Sequence, residues 1–151
     1  HPFSVNKLKR MARAWMDDVH ELCNVSRYAE DVDPEQARFN LAVRRFRRAR
    51  PWLMEDLQTR DWFDYVHPTD GSVLFYGRRH APEGDEQVLF VANMEGAPCT
   101  VVPAAFRIPN LAQEGWRPAL AAPGVERMDI DEPMELRDGQ GVVFVKGEGQ
   151  S

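Results

Sequence analysis

The densest chemistry in the sequence is basic. Arg38, Arg44, Arg45, Arg47, Arg48 and Arg50 crowd one short stretch, and guanidinium groups in such numbers suit phosphate or nucleic acid. Their spacing, however, spreads them around a helix between apolar positions. The expected role is therefore a solvated face that pairs with acids elsewhere, an arrangement worth little stability. Carboxylates are also plentiful. Cleaving a glycosidic bond needs two carboxyl groups converging across the sugar, but Asp17 and Asp18 are neighbours on a predicted helix and diverge. Asp129, Asp131 and Glu132 share a turn before Pro133 with no histidine close by. The histidines, His1, His20, His67 and His80, lack the HExxH or HxH spacing of a metal centre. No GxSxG, GxGxxG or GxxxxGK[ST] motif occurs, and Gly139-Gln140-Gly141 leads into a strand where a dinucleotide loop would lead into a helix. The expectation is no catalytic residue, no metal and no cofactor. Trp62, Tyr65 and Trp116 remain as candidate carbohydrate-binding residues, because planar aromatic faces stack on sugar rings. The competing reading for each is packing in a core or between domains.

Helices and strands must position these groups. Residues 4–23 carry Val5, Leu8, Ala12, Trp15, Val19 and Leu22 at steps of three and four, which predicts an amphipathic helix. A second helix is predicted from Asp33-Pro34-Glu35-Gln36, an acidic cap with proline at the first helical position. It carries an apolar stripe of Phe39, Ala42, Val43, Phe46 and Ala49 and stops at Pro51. Beyond residue 60 the period shortens to two, or to brief apolar runs. Val73–Tyr76, Val88–Val91, Cys99–Val102 and Val142–Val145 each follow a Gly/Pro-rich turn signal. Asp61–Val66 and Met134–Arg137 are candidate additional strands, and residues 104–126 read as a long irregular connection. The predicted fold class is α+β, with N-terminal helices followed by an antiparallel, Greek-key-like β-sandwich. The predicted boundaries are a helical segment over 1–60, the sandwich over 61–147 and a frayed tail over 148–151.

Composition sharpens the division. Residues 1–60 carry 12 Lys+Arg against 9 Asp+Glu, and residues 61–151 carry 7 against 15. The chain thus has a mildly basic front and an acidic back, and the back would repel phosphate. Nucleic acid is not an expected partner, nor is a membrane, since no apolar run approaches the roughly 18 residues of a span. Cys23 and Cys99 have no metal-ligand spacing and read as buried, reduced thiols of a cytoplasmic protein. The chain begins at His1 rather than Met, which suggests a processed product or a piece of something longer.

One region resembles a known family. Arg38-Phe39-Asn40-Leu41-Ala42-Val43-Arg44-Arg45-Phe46-Arg47-Arg48-Ala49-Arg50-Pro51-Trp52-Leu53 resembles the last barrel helix of the α-amylase superfamily, glycoside hydrolase family 13, of the type "LIALRRAHPAL". Val73–Arg78 is similar to that family's "VLAFLR" strand. Val88–Met94 is similar to "VLVVLNFS", including the asparagine, and Ala97–Pro103 to "PVTVELP". Leu136–Val145 resembles the closing "L.P.GALVL" strand, although Asp138-Gly139-Gln140-Gly141 departs from it. The resemblance spans residues 38–146. It implies a non-catalytic C-terminal domain of an α-glucan-acting hydrolase or transglycosylase, packed on an upstream catalytic barrel of the same chain. The alternative is an independent carbohydrate-binding module with α-glucan as partner. The family's catalytic acids lie upstream of such a region and match nothing here. An isolated piece of this kind would be expected to self-associate through the uncovered face of its first helix.

Overall fold

The computed structural model describes residues 33–55, 57–66, 73–109, 111 and 115–147. The predicted helix over 4–23, Asp17, Asp18, Cys23, His1, His20 and His67 lie outside the described residues. The chain forms two compact units, residues 1–56 and 57–151.

In the first unit, helix α1 spans Pro34–Ala49. Its start follows from the sequence: the Asp33 side chain accepts the Glu35 N–H at 3.1 Å, and Pro34 sits where no N–H is needed. Glu35 in the first turn and Arg47 and Arg48 in the last complement the helix dipole. Phe39, Val43 and Phe46 are buried along one face, together with Asn40. Arg50 leaves the helical region just before Pro51 (φ −134°, ψ 68°), since proline disfavours helical backbone in the residue ahead of it. Its guanidinium lies 3.9 Å over the Phe46 ring. A 3-10 turn, Pro51–Met54, follows.

The second unit is an antiparallel sandwich, so the fold class is α+β and mostly β. Strands β1 (Trp62–Val66), β2 (Val73–His80), β3 (Gln87–Glu95), β5 (Arg117–Ala121) and β7 (Gly141–Lys146) form one sheet in the order β1-β2-β3-β7-β5. Strands β4 (Cys99–Val101) and β6 (Met134–Leu136) form a second. After the β1-β2-β3 meander, each successive strand lies in the other sheet. Cys99, Val101, Met134 and Leu136 pack on Leu74, Tyr76, Leu89, Val91, Val142 and Phe144 to make the core. Asn93 ties the two sheets: its side-chain N–H groups donate to the Ala97 and Leu136 carbonyls, each at 3.0 Å.

The opposite face of the large sheet is also buried. It carries Phe63, Phe75 and Phe90, with ring centroids 5.4–6.3 Å apart. Burial on both faces explains why β3 and β7 read as unbroken apolar runs with no alternation. Gly77 is required here. A Cβ at this position would come within 2.7 Å of both Phe63 and Phe90 and within 2.9 Å of the Trp62 carbonyl. The turn before β7 needs Gly139 at φ +75°, from which its N–H reaches the Asn93 carbonyl at 2.9 Å.

One strand departs from expectation. Arg117–Ala121 lies within the stretch read as an irregular connection, yet it pairs with β7. It is an edge strand, where Pro118 removes no essential donor, and its alanines carry little strand preference.

Candidate functional site

The antiparallel register of β1 and β2 places chemistry at one end of the large sheet. Trp62 is directly opposite Arg78, and Asp64 is opposite Tyr76. Cross-strand partners share a face, so Trp62 and Arg78 are neighbours on the core side. Arg79, one residue on, falls on the other side. A cleft of about 330 Å³ opens at this end, lined by Thr59, Arg60, Asp61, Trp62, Arg78, His80, Gln87 and Pro109.

Asp61 is fully committed. Its side chain has no exposure. Oδ1 accepts the His80 N–H at 2.7 Å, and Oδ2 accepts the Gln58 N–H at 2.8 Å. The same Oδ2 meets Arg79 Nε and Nη2, both at 3.1 Å. A carboxylate holding so many donors is a structural knot. It is not placed to protonate a glycosidic oxygen or to attack a sugar.

Arg78 is held differently. It is 4% exposed, and its guanidinium donates to the Arg60 carbonyl at 2.8 Å and to the Pro109 carbonyl. Both acceptors are neutral, and its Nε–H has no partner. Burial pushes this guanidinium below its ordinary pKa, with Asp61 opposing the change. Beside it, Nε1 of Trp62 and Nδ1 of His80 are also buried without a partner. Burial pushes the His80 imidazole down too, and the charges of Arg78 and Arg60 add to the effect. The neutral imidazole is therefore the favoured form. Arg60 is exposed, and among the described residues its contacts are long, 3.4 Å to Gln58 Oε1 and to the Ala81 carbonyl.

The three aromatics named from sequence do not form one platform. Trp62 is half-buried on β1, packs against the core and lines the cleft. Trp116 is half-buried just before β5, with the Lys146 ammonium 5.9 Å from its ring centroid. β1 and β5 are opposite edges of the sheet, four strand spacings or about 19 Å apart. Tyr65 pairs through its backbone with Phe75, and its side chain lies outside the described residues.

Two other clefts are chemically plainer. One, of about 350 Å³, is lined by Arg44, Arg47, Arg48 and Arg50 with Pro51 and Met54. Another, of about 330 Å³, carries Glu126, Arg127, Glu135 and Arg137. There Glu135 and Arg137 form an exposed pair at 3.5 Å. The acidic turn before Pro133 is closed locally, with Asp129 Oδ1 accepting the Asp131 N–H at 2.8 Å. Among the described residues no group of His, Cys, Asp or Glu is arranged to hold a metal ion. No described helix is long and apolar enough to cross a membrane.

Reading residue types along the chain missed Asp61, Arg78 and His80 as a group. The available signal was a pair of arginines and a histidine ending an otherwise apolar strand, Val73-Leu74-Phe75-Tyr76-Gly77-Arg78-Arg79-His80. Comparison with known proteins gives one result: the family model described as hypothetical glycoside hydrolase 5 matches residues 1–144. No curated protein and no solved structure matches.

Proposed function

We propose, from the premise that this chain belongs to the hypothetical glycoside hydrolase 5 family, that its sandwich is a non-catalytic accessory domain. The parent activity would be hydrolysis or transfer on α-glucans, with the sandwich packed on an upstream catalytic barrel in the cytoplasm. The observation that carries this reading is the state of Asp61. Among the described residues it is the only carboxylate lining the β1–β2 cleft, and its side chain is fully buried and spent on Arg79 and two backbone N–H groups. A glycosidase needs one carboxyl group free to give a proton and another free to attack or to activate water.

The order of elements supports the α-amylase-superfamily version of the reading. The arginine-rich segment that resembles the last barrel helix forms α1 and the turn after it. The segments that resemble the C-terminal strands form β2, β3, β4 and β7 in the same order. The asparagine shared with the second of these motifs is Asn93, which ties the sheets together. The second reading, a carbohydrate-binding module, is favoured by Trp62 in the cleft wall and disfavoured by the distance to Trp116.

The test is an assay of the chain with maltodextrins, following release of reducing ends and redistribution of chain length. No turnover is expected. Clear hydrolysis or transfer by this chain would overturn the accessory reading.

A further inference from the structure

We propose that the β1–β2 cleft binds an anionic sugar, with the carboxylate or phosphate group held by Arg78 and Arg60 and the sugar ring beside Trp62. The sugar half of this inference rests on the family's relation to glycoside hydrolases. The anionic half rests on geometry alone.

A buried guanidinium is normally answered by a carboxylate, because removing its charge from water is costly. Arg79 follows that rule through Asp61. Arg78, equally buried, does not: its partners are two backbone carbonyls, and its Nε–H has none. Among the described residues Arg60 has no carboxylate partner either. Asp61 cannot neutralise them both, since its oxygens are taken. The cleft wall, as far as it is described, therefore keeps an excess of positive charge.

Unpartnered polar atoms converge there. Among the described residues six buried side-chain polar atoms have no hydrogen-bond partner, and Arg78 Nε, Trp62 Nε1 and His80 Nδ1 are three of them. All three side chains line this one cleft. Two of the three atoms are donors only, so the missing groups are acceptor oxygens. A planar guanidinium matches carboxylate or phosphate with paired, charge-assisted hydrogen bonds. Gln87, which also lines the cleft, adds a carboxamide suited to sugar hydroxyls. The volume, about 330 Å³, is at the lower end of small-molecule sites, which run from roughly 300 to 1,000 Å³. It suits one or two sugar rings and not a long chain.

Calorimetric titration of the chain with glucuronate, glucose 6-phosphate, glucose and inorganic phosphate tests the inference. Glucuronate or glucose 6-phosphate should bind at least tenfold more tightly than both glucose and inorganic phosphate. The better of the two tells carboxylate from phosphate. Arg78→Gln should weaken that binding at least tenfold. Arg60→Gln, which alters an exposed side chain and leaves the fold intact, should weaken it several-fold. The His80 imidazole resonances should move on binding. Equal affinity for glucose removes the charge, and equal affinity for inorganic phosphate removes the sugar. Either result overturns the inference, as does unchanged affinity in Arg60→Gln, a stationary His80 signal, or no binding at all. These outcomes are separate from turnover of maltodextrin, which bears only on the accessory reading.

Discussion

Arg78 and Arg79 are consecutive residues of one strand, 4% and 3% exposed, yet they sit in opposite chemical situations. On one side of the sheet Arg79 closes on Asp61, which also pins the backbone of Gln58 and His80. On the other side Arg78 spans two carbonyls and faces a cleft with no free carboxylate among the described residues. Because strand side chains alternate, a single step along β2 separates a charge that completes the architecture from a charge left for something else. Burial alone does not tell structural from functional arginines. What answers the charge does.

The contrast can be broken most severely at Asp61. Asp61→Ala removes the buried carboxylate that meets Arg79 and holds the Gln58 and His80 N–H groups, and it should cost about 3–5 kcal/mol of unfolding free energy, read from urea denaturation.

Tyr76 comes next. It shares the face of Arg78, but its polar end is answered: the phenol donates to Asp64 Oδ2 at 3.2 Å and its ring stacks on Phe106 at 4.1 Å. Burial first, then the charge and hydrogen bond of Asp64, push the phenol up from 10.0 to about 12. A folded-state value above the unfolded one means the stabilisation is fully present below pH 10. It is lost as pH rises through about 12. The difference corresponds to about 2–3 kcal/mol. Tyr76→Phe should lack this loss when stability is followed from pH 9 to 12.

Arg78→Met should be far milder than Asp61→Ala, within about 1 kcal/mol of the parent chain. It removes a buried charge without stranding another, and such exchanges are often neutral. The carbonyls it releases belong to Arg60 and Pro109, both exposed residues that water can reach. The smallest effect is expected at the exposed Glu135–Arg137 pair, whose side chains are 60% and 74% accessible. Glu135→Ala should change stability by no more than about 0.5 kcal/mol.

Much of the architecture was legible in the sequence. Asp33-Pro34 and Pro51 bracket α1 because capping and proline geometry act locally. The strands β3, β4 and β7 follow turn signals whose glycines and prolines favour chain reversal. β5 was hidden, because Arg117-Pro118-Ala119-Leu120-Ala121 has neither alternation nor β-branched residues and owes its pairing to β7. The cleft was hidden for a related reason. Trp62 was visible as an aromatic, but Arg78 becomes its neighbour only through the register of two strands. Likewise, nothing in the residue types of Arg78-Arg79 tells which arginine meets Asp61. Spacing along the chain reports local geometry, whereas pairing across a sheet sets which charges are answered.

The most direct test of the account is a thermal unfolding comparison of the parent chain and Arg78→Met, each with and without glucuronate or glucose 6-phosphate, whichever binds more tightly. Nearly equal stability of the two chains is expected without the sugar. At a hundredfold excess over its dissociation constant the sugar should stabilise the parent by about 2.7 kcal/mol and Arg78→Met by no more than about 1.4 kcal/mol, the value for a tenfold weaker site. Arg78→Met as unstable as Asp61→Ala would contradict it, as would equal stabilisation of both chains by the sugar.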